Sequence, residues 1–132
     1  MWFRNLTPFR LIEPLPLNAE ALAERLKSHA FLPCLSHQPG SAGWTAPLGR
    51  KAQDLIHAAA GRWLMCLRTD EKLLPAIVIN QELAERVAVI EDEQQRPVRR
   101  RERQELREQL VDELLPRALI RSRRSYAYLD PA

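Results

Sequence analysis

The chain has 132 residues, 45% of them hydrophobic and 28% charged, with 20 lysines and arginines against 17 acids for a formal charge of +3. That length buries most of one core and is too short for two well-formed ones, so one domain, or part of one, is the ceiling. The longest apolar runs span only a few residues, as at Ala76 to Ile79, far from the roughly 20 that a membrane-spanning helix needs, and so small a net charge does not by itself imply a nucleic-acid partner.

The opening Met-Trp-Phe-Arg-Asn lacks the charged start, long apolar core and cleavage site of a secretory signal, so a cytosolic protein is expected. In that compartment Cys34 and Cys66 are expected as buried thiols and not as a disulfide. Residues 2 to 12 mix aromatic, branched and polar side chains in the manner of a first strand, with Pro8 favouring an edge. Pro14 and Pro16 end it. Asn18 then fits an N-cap for a helix from Ala19 to about His29, whose Leu22 and Leu26 share a face suited to lying on a sheet.

Prolines and glycines between residues 30 and 49 punctuate two short extended pieces, Phe31 to Leu35 and Gly43 to Ala46. Ala52 to Ala60 reads as a short helix stopped by Gly61. Trp63 to Arg68 is a continuous apolar run of strand length, the best central strand, with a hairpin-like return expected through Thr69 to Leu74. After Pro75, the spacing of Ile79, Leu83, Val87 and Ile90 predicts an amphipathic helix. Pro97 implies a break near Arg96 and a second helix from about Val98 to Leu119, with Pro116 kinking or ending it within a turn. Tyrosines at spacing two mark Arg121 to Asp130 as a closing strand. The expected fold is α+β: an antiparallel sheet with packed helices and a projecting pair of long helices. Residues 1–75 and 120–132 would form the body and 76–119 the helical arm.

From Arg96 to Arg124 there are ten arginines, no lysine and five acids. Guanidinium stays charged, grips phosphate oxygens in bidentate fashion and is weakly hydrated, which makes nucleic acid the first partner to consider. Leu106, Leu110 and Leu114 recur at spacing four, and Arg99, Arg103 and Arg107 continue nearly the same side upstream, so one face turns from basic to apolar. A solvated helix laced with ion pairs reads equally well from these residues; Arg101 and Glu105 have the spacing for one.

Five pieces together span the whole chain: Trp2-Phe3-Arg4-Asn5-Leu6, Phe31-Leu32-Pro33-Cys34, Gly43-Trp44-Thr45-Ala46-Pro47-Leu48-Gly49, Glu71-Lys72-Leu73-Leu74-Pro75 and Leu114-Leu115-Pro116-Arg117-Ala118. In their order and spacing the chain resembles the RdgC family of recombination-associated bacterial DNA-binding proteins. The resemblance implies a cytoplasmic, nucleoid-associated protein without cofactor. Such a protein binds double-stranded DNA with little sequence preference as a ring-forming homodimer, and limits access of the RecA recombinase. Members are normally more than twice this length, so the chain is expected to be their N-terminal portion. Leu119 stands where the family tends to have phenylalanine. The resemblance makes Arg99, Arg100, Arg101, Arg103, Arg107, Arg117, Arg121, Arg123 and Arg124 the candidate duplex contacts, and Leu114, Leu115 and Leu119 the candidate dimer interface.

Two readings of other classes stand beside this one. Asp70-Glu71-Lys72 after an apolar strand has the residue types of a metal-dependent nuclease, where acids hold a cation and lysine steadies a water. A further acid would have to converge, and the nearest upstream, Asp54, falls at an expected helix start, so a charged turn is favoured and no catalytic residue or enzyme activity is expected. A helical protein-interaction module that never touches DNA is the other. His29, Cys34, His37, His57 and Cys66 are scattered without paired ligand spacing, so no metal site is expected. Trp2, Trp44 and Trp63 are expected as core anchors more than as base-stacking platforms.

Overall fold

The computed structural model describes residues 3–132, so Trp2 lies outside it. The chain divides into two compact units: one takes the described residues to Ala30, Trp44–Leu67 and Ser125–Ala132, the other Phe31–Gly43 and Arg68–Arg124. The architecture is α+β, as the sequence predicts. Its four-stranded antiparallel sheet has one strand, β3 (Arg62–Leu73), as the common partner of β1 (Gly40–Thr45), β2 (Ile56–Ala59) and β4 (Leu119–Leu129).

In the first unit, helix α1 (Ala19–Lys27) begins where the sequence places it. The Asn18 side-chain oxygen accepts from the Ala21 backbone N–H at 2.8 Å, satisfying one of the orphan donors of the first turn. Leu26 is buried with Ile56, Trp63 and Met65, and Leu22 and Trp44 pack against that cluster, so α1 does lie on sheet residues. Each such side chain contributes about 1.5–3 kcal/mol on leaving water.

Three expectations are corrected here. Ala52 to Ala60 is not a helix: Ile56–Ala59 is strand β2, paired antiparallel with β3 from Ile56 opposite Met65 to Ala59 opposite Arg62. Gly61 closes a two-residue hairpin instead of capping a helix, with φ of 52° at Ala60 and 74° at Gly61, the left-handed pair that matches strand twist. Alanine's helix propensity is a weak preference, and burial of Ile56 against β3 overrides it. The described part of the first expected strand, residues 3 to 12, has no strand partner; Phe9 and Ile12 stand in solvent, and the prolines at 8, 14 and 16 remove the donors that a ladder requires. The expected return through Thr69 to Leu74 is likewise absent, because β3 runs straight on to Leu73.

In the second unit, Phe31 to Leu35 forms no strand, while β1 starts earlier than expected, at Gly40. A Cβ on Gly40 would meet the Asp70 carbonyl oxygen at 2.7 Å, so only glycine permits that approach to β3. Helix α2 (Ala76–Gln94) follows Pro75 and buries Ile79, Leu83 and Val87 against Leu110 of α3 (Arg100–Leu114). Leu106, Val111 and Leu114 flank this second core, as the spacing-four stripe predicts. Helix α3 ends five residues before the expected Leu119. Pro116 stands in a 3-10 turn over Leu115–Arg117, and the chain enters β4 at Leu119; the proline lacks the N–H that would continue the helix.

Candidate nucleic-acid interface

All nine candidate duplex arginines lie in the second unit, and their partners sort them. Arg101 pairs with Glu105 at 3.2 Å, Arg121 with Glu71 at 2.6 Å, and Arg107 donates to the Asn80 side-chain oxygen at 2.6 Å. Arg99, Arg100, Arg103, Arg117, Arg123 and Arg124 form no ion pair among the described residues. Arg124 lies close enough to Asp70 for its charge to help lower that carboxyl's pKa, and Arg117 acts likewise on Glu113.

The uncompensated guanidiniums occur in two stretches. One opens α3: Arg99 is its N-cap residue with no side-chain cap bond, and Arg100 and Arg103 follow within the first turn. Cations are disfavoured there, because the unsatisfied N–H groups carry the positive end of the helix dipole. The acid of that turn, Glu102, is taken by Arg96, whose two terminal nitrogens donate to its carboxylate at 2.7 Å each and hold it below the ordinary carboxyl range. Arg96 thus closes the connection between the helices, where Gln95 turns left-handed with φ of 51° and the Val98 N–H donates to Glu91 at 3.0 Å. The other stretch is β4, where Arg123 is on the Arg121 face and Arg124 on the Ser122 face by strand alternation.

An evenly basic arm is not what the helices form. Between Ala76 and Leu114 there are ten acids against seven arginines, and five of those arginines lie within residues 96–103. Arg86, further back on α2, is bound by Glu113 through two contacts of 3.2 and 2.5 Å. Arginine is therefore gathered at the joined end of the pair, where Glu91, Asp92 and Glu93 also close α2, and in β4.

Asp70, 4% exposed, is the buried charged residue of this unit. Arg68 donates to both its oxygens, at 2.9 and 3.0 Å, and stacks 4.3 Å from the centre of the Phe31 ring. The bonds from Arg68 hold the Asp70 carboxyl below its ordinary pKa against the opposing effect of burial, and the Ser122 hydroxyl adds to the lowering. Lys72 donates to the carbonyls of Leu35 (2.9 Å) and Ser36. The acid, acid and lysine of the nuclease reading are thus turned to three separate partners: Arg68, Arg121 and two loop carbonyls. Asp54 precedes β2 and opens no helix. Asp70 is thus the buried half of an ion pair inside β3 and not part of a charged turn; its place two residues after Arg68 on one side of a long strand is the signal for the pair.

Among the candidate interface leucines, Leu115 is buried, Leu114 packs against the helical core and Leu119 is 77% exposed. Trp63 is buried and Trp44 packs beside it. Cys34 and Cys66 are not bonded to each other, and no three His, Cys, Asp or Glu side chains group as a metal-binding set among the described residues.

Fold and charge together define an α+β protein with a capped, ion-paired framework and a surplus of guanidinium at two places on one unit. The chain belongs to the RdgC family: all of residues 1–132 match the family profile described as "Putative exonuclease, RdgC". It is 45% identical over 130 residues to the recombination-associated protein RdgC of Halorhodospira halophila, covering 98% of this chain and 43% of that protein. The protein of the same name from Aeromonas hydrophila is 42% identical over 132 residues, which make up 44% of its length, and that of Tolumonas auensis is 39% identical. The chain therefore spans less than half the length of these relatives. Their name denotes a recombination-associated protein and no enzyme, whereas the family description carries the word exonuclease.

Proposed function

We propose that the chain binds double-stranded DNA without sequence preference, through arginine–phosphate contacts. In the full-length setting it would act as part of a homodimeric ring on the nucleoid in the cytoplasm and limit RecA access to the duplex. The observation that carries this reading is the row Arg99, Arg100 and Arg103 at the start of α3, cations without carboxylate partners at the helix end where cations are least stable. Folding alone gains nothing from that placement. A phosphate there accepts from both backbone N–H groups and guanidinium, and reverses the sign of the local electrostatics. Arg117, Arg123 and Arg124 are the further candidate contacts, and Leu119, the exposed leucine of the three, is the candidate subunit contact.

The function is binding and not bond cleavage. Asp70 and Glu71 are already neutralised by arginine, and Lys72 holds loop carbonyls, so freeing them for catalysis would break three sets of contacts. The test is affinity for two unrelated duplexes across a salt series, with and without magnesium. Parallel, steep loss of affinity with salt supports the proposal. Magnesium-dependent degradation would replace it with the nuclease reading, and no salt-sensitive binding at all would leave a protein-interaction module.

A further inference from the structure

We infer that β4 presents an open edge built to receive a β-strand from the part of the longer family chain that lies outside these 132 residues. Ten of the eleven residues of β4 are exposed, and the last, Leu129, is only half-buried. Among the described residues its one strand partner is β3. Leu119, Ile120 and Tyr128 are each at least half exposed, and Tyr126 is more than a third exposed.

Proteins that leave an edge strand in water keep it short, or blunt it with charged side chains, proline or a bulge. β4 carries three arginines, but it is about twice the usual strand length, has no proline, and presents two tyrosines, a leucine and an isoleucine to solvent. Its unpaired N–H and C=O groups and apolar side chains are what an added strand satisfies together: main-chain bonds along the edge and alternate side chains on each face. The relatives supply the material, since more than half of their length lies outside the matched residues. A second copy pairing through the same edge is disfavoured by charge. It would bring Arg121, Arg123 and Arg124 of two chains into one seam with no acid in either strand, and like charges across a strand pair destabilise it. Because such pairing uses the backbone groups of the edge and the apolar side chains, and not the guanidiniums, it is independent of the DNA reading.

Hydrogen exchange on this chain and on the full-length Halorhodospira halophila relative tests the inference. Every second amide of β4, those directed away from β3, should exchange at least about tenfold slower in the relative than in the 132-residue chain. Equally fast exchange in both overturns the inference. So does slow exchange in the short chain that is lost on dilution, which would make a second copy the occupant. A further reading needs the relative alone: the strand aligned with β4 should be protected to within about tenfold of the central strand aligned with β3, and a larger gap would leave the edge open and the inference wrong.

Discussion

Replacing Arg99, Arg100 and Arg103 together by glutamine separates a phosphate-binding cluster from a merely solvated one. Each phosphate neutralised contributes about 0.9 to the slope of log affinity against log salt. The six arginines without ion pairs set an upper slope of about −5, roughly a thousandfold loss of affinity between 50 and 200 mM salt. Removing three contacts leaves a slope of about −3, and the loss over the same range shrinks to about fortyfold. Fluorescence anisotropy on a labelled duplex reads both values. Arg86→Gln is the control, because Arg86 is already bound by Glu113, and its slope should match the parent. Stability should move the other way: taking cations off the positive end of α3 stabilises the helix by about 0.3–1 kcal/mol per charge. An unchanged slope in the triple variant, or an equal flattening in Arg86→Gln, would refute the assignment.

Other outcomes follow from the packing. Asp70→Asn strands the Arg68 guanidinium; a fully buried broken pair costs about 3–5 kcal/mol, and since the Arg68 side chain is 31% exposed the urea-denaturation loss should be about 2–3 kcal/mol. Because the folded Asp70 pKa is lowered, its contribution is full above the unfolded aspartate value near about pH 4 and is lost as pH falls through the folded value, so acid titration of stability should be shallower in Asp70→Asn. Leu110→Ala, at a residue 1% exposed in the helical core, should cost about 2–5 kcal/mol; a loss under about 1 kcal/mol would mean the helix pair contributes little. Ala60→Asn puts the preferred residue into a left-handed hairpin position, φ 52°, and should stabilise by about 0.5–1 kcal/mol, read as a rise in Tm.

The parts legible from sequence are those where a local signal and a tertiary contact agree. Asn18 before Ala19 caps a helix, and Ile79, Leu83 and Val87 line one face that is then buried. Pro116 ends α3, and the tyrosines at spacing two do mark a strand. The failures lie where strand pairing, and not composition, decided. Ala52 to Ala60 has helical composition but finds a partner strand in β3, and the opening segment has strand composition but finds none. At the candidate site, arginine enrichment was visible, but its distribution was not: Glu102 closes on Arg96 and Glu113 reaches back to Arg86 across 27 positions, contacts that no local pattern encodes.

The surplus of carboxylates along α2 and α3, set against arginines gathered where the two helices join, has a geometric consequence. On the proposed DNA reading, a polyanion approaching the shafts side-on would meet net negative charge, and one approaching the junction would meet Arg99, Arg100 and Arg103, so the helix pair would orient its partner.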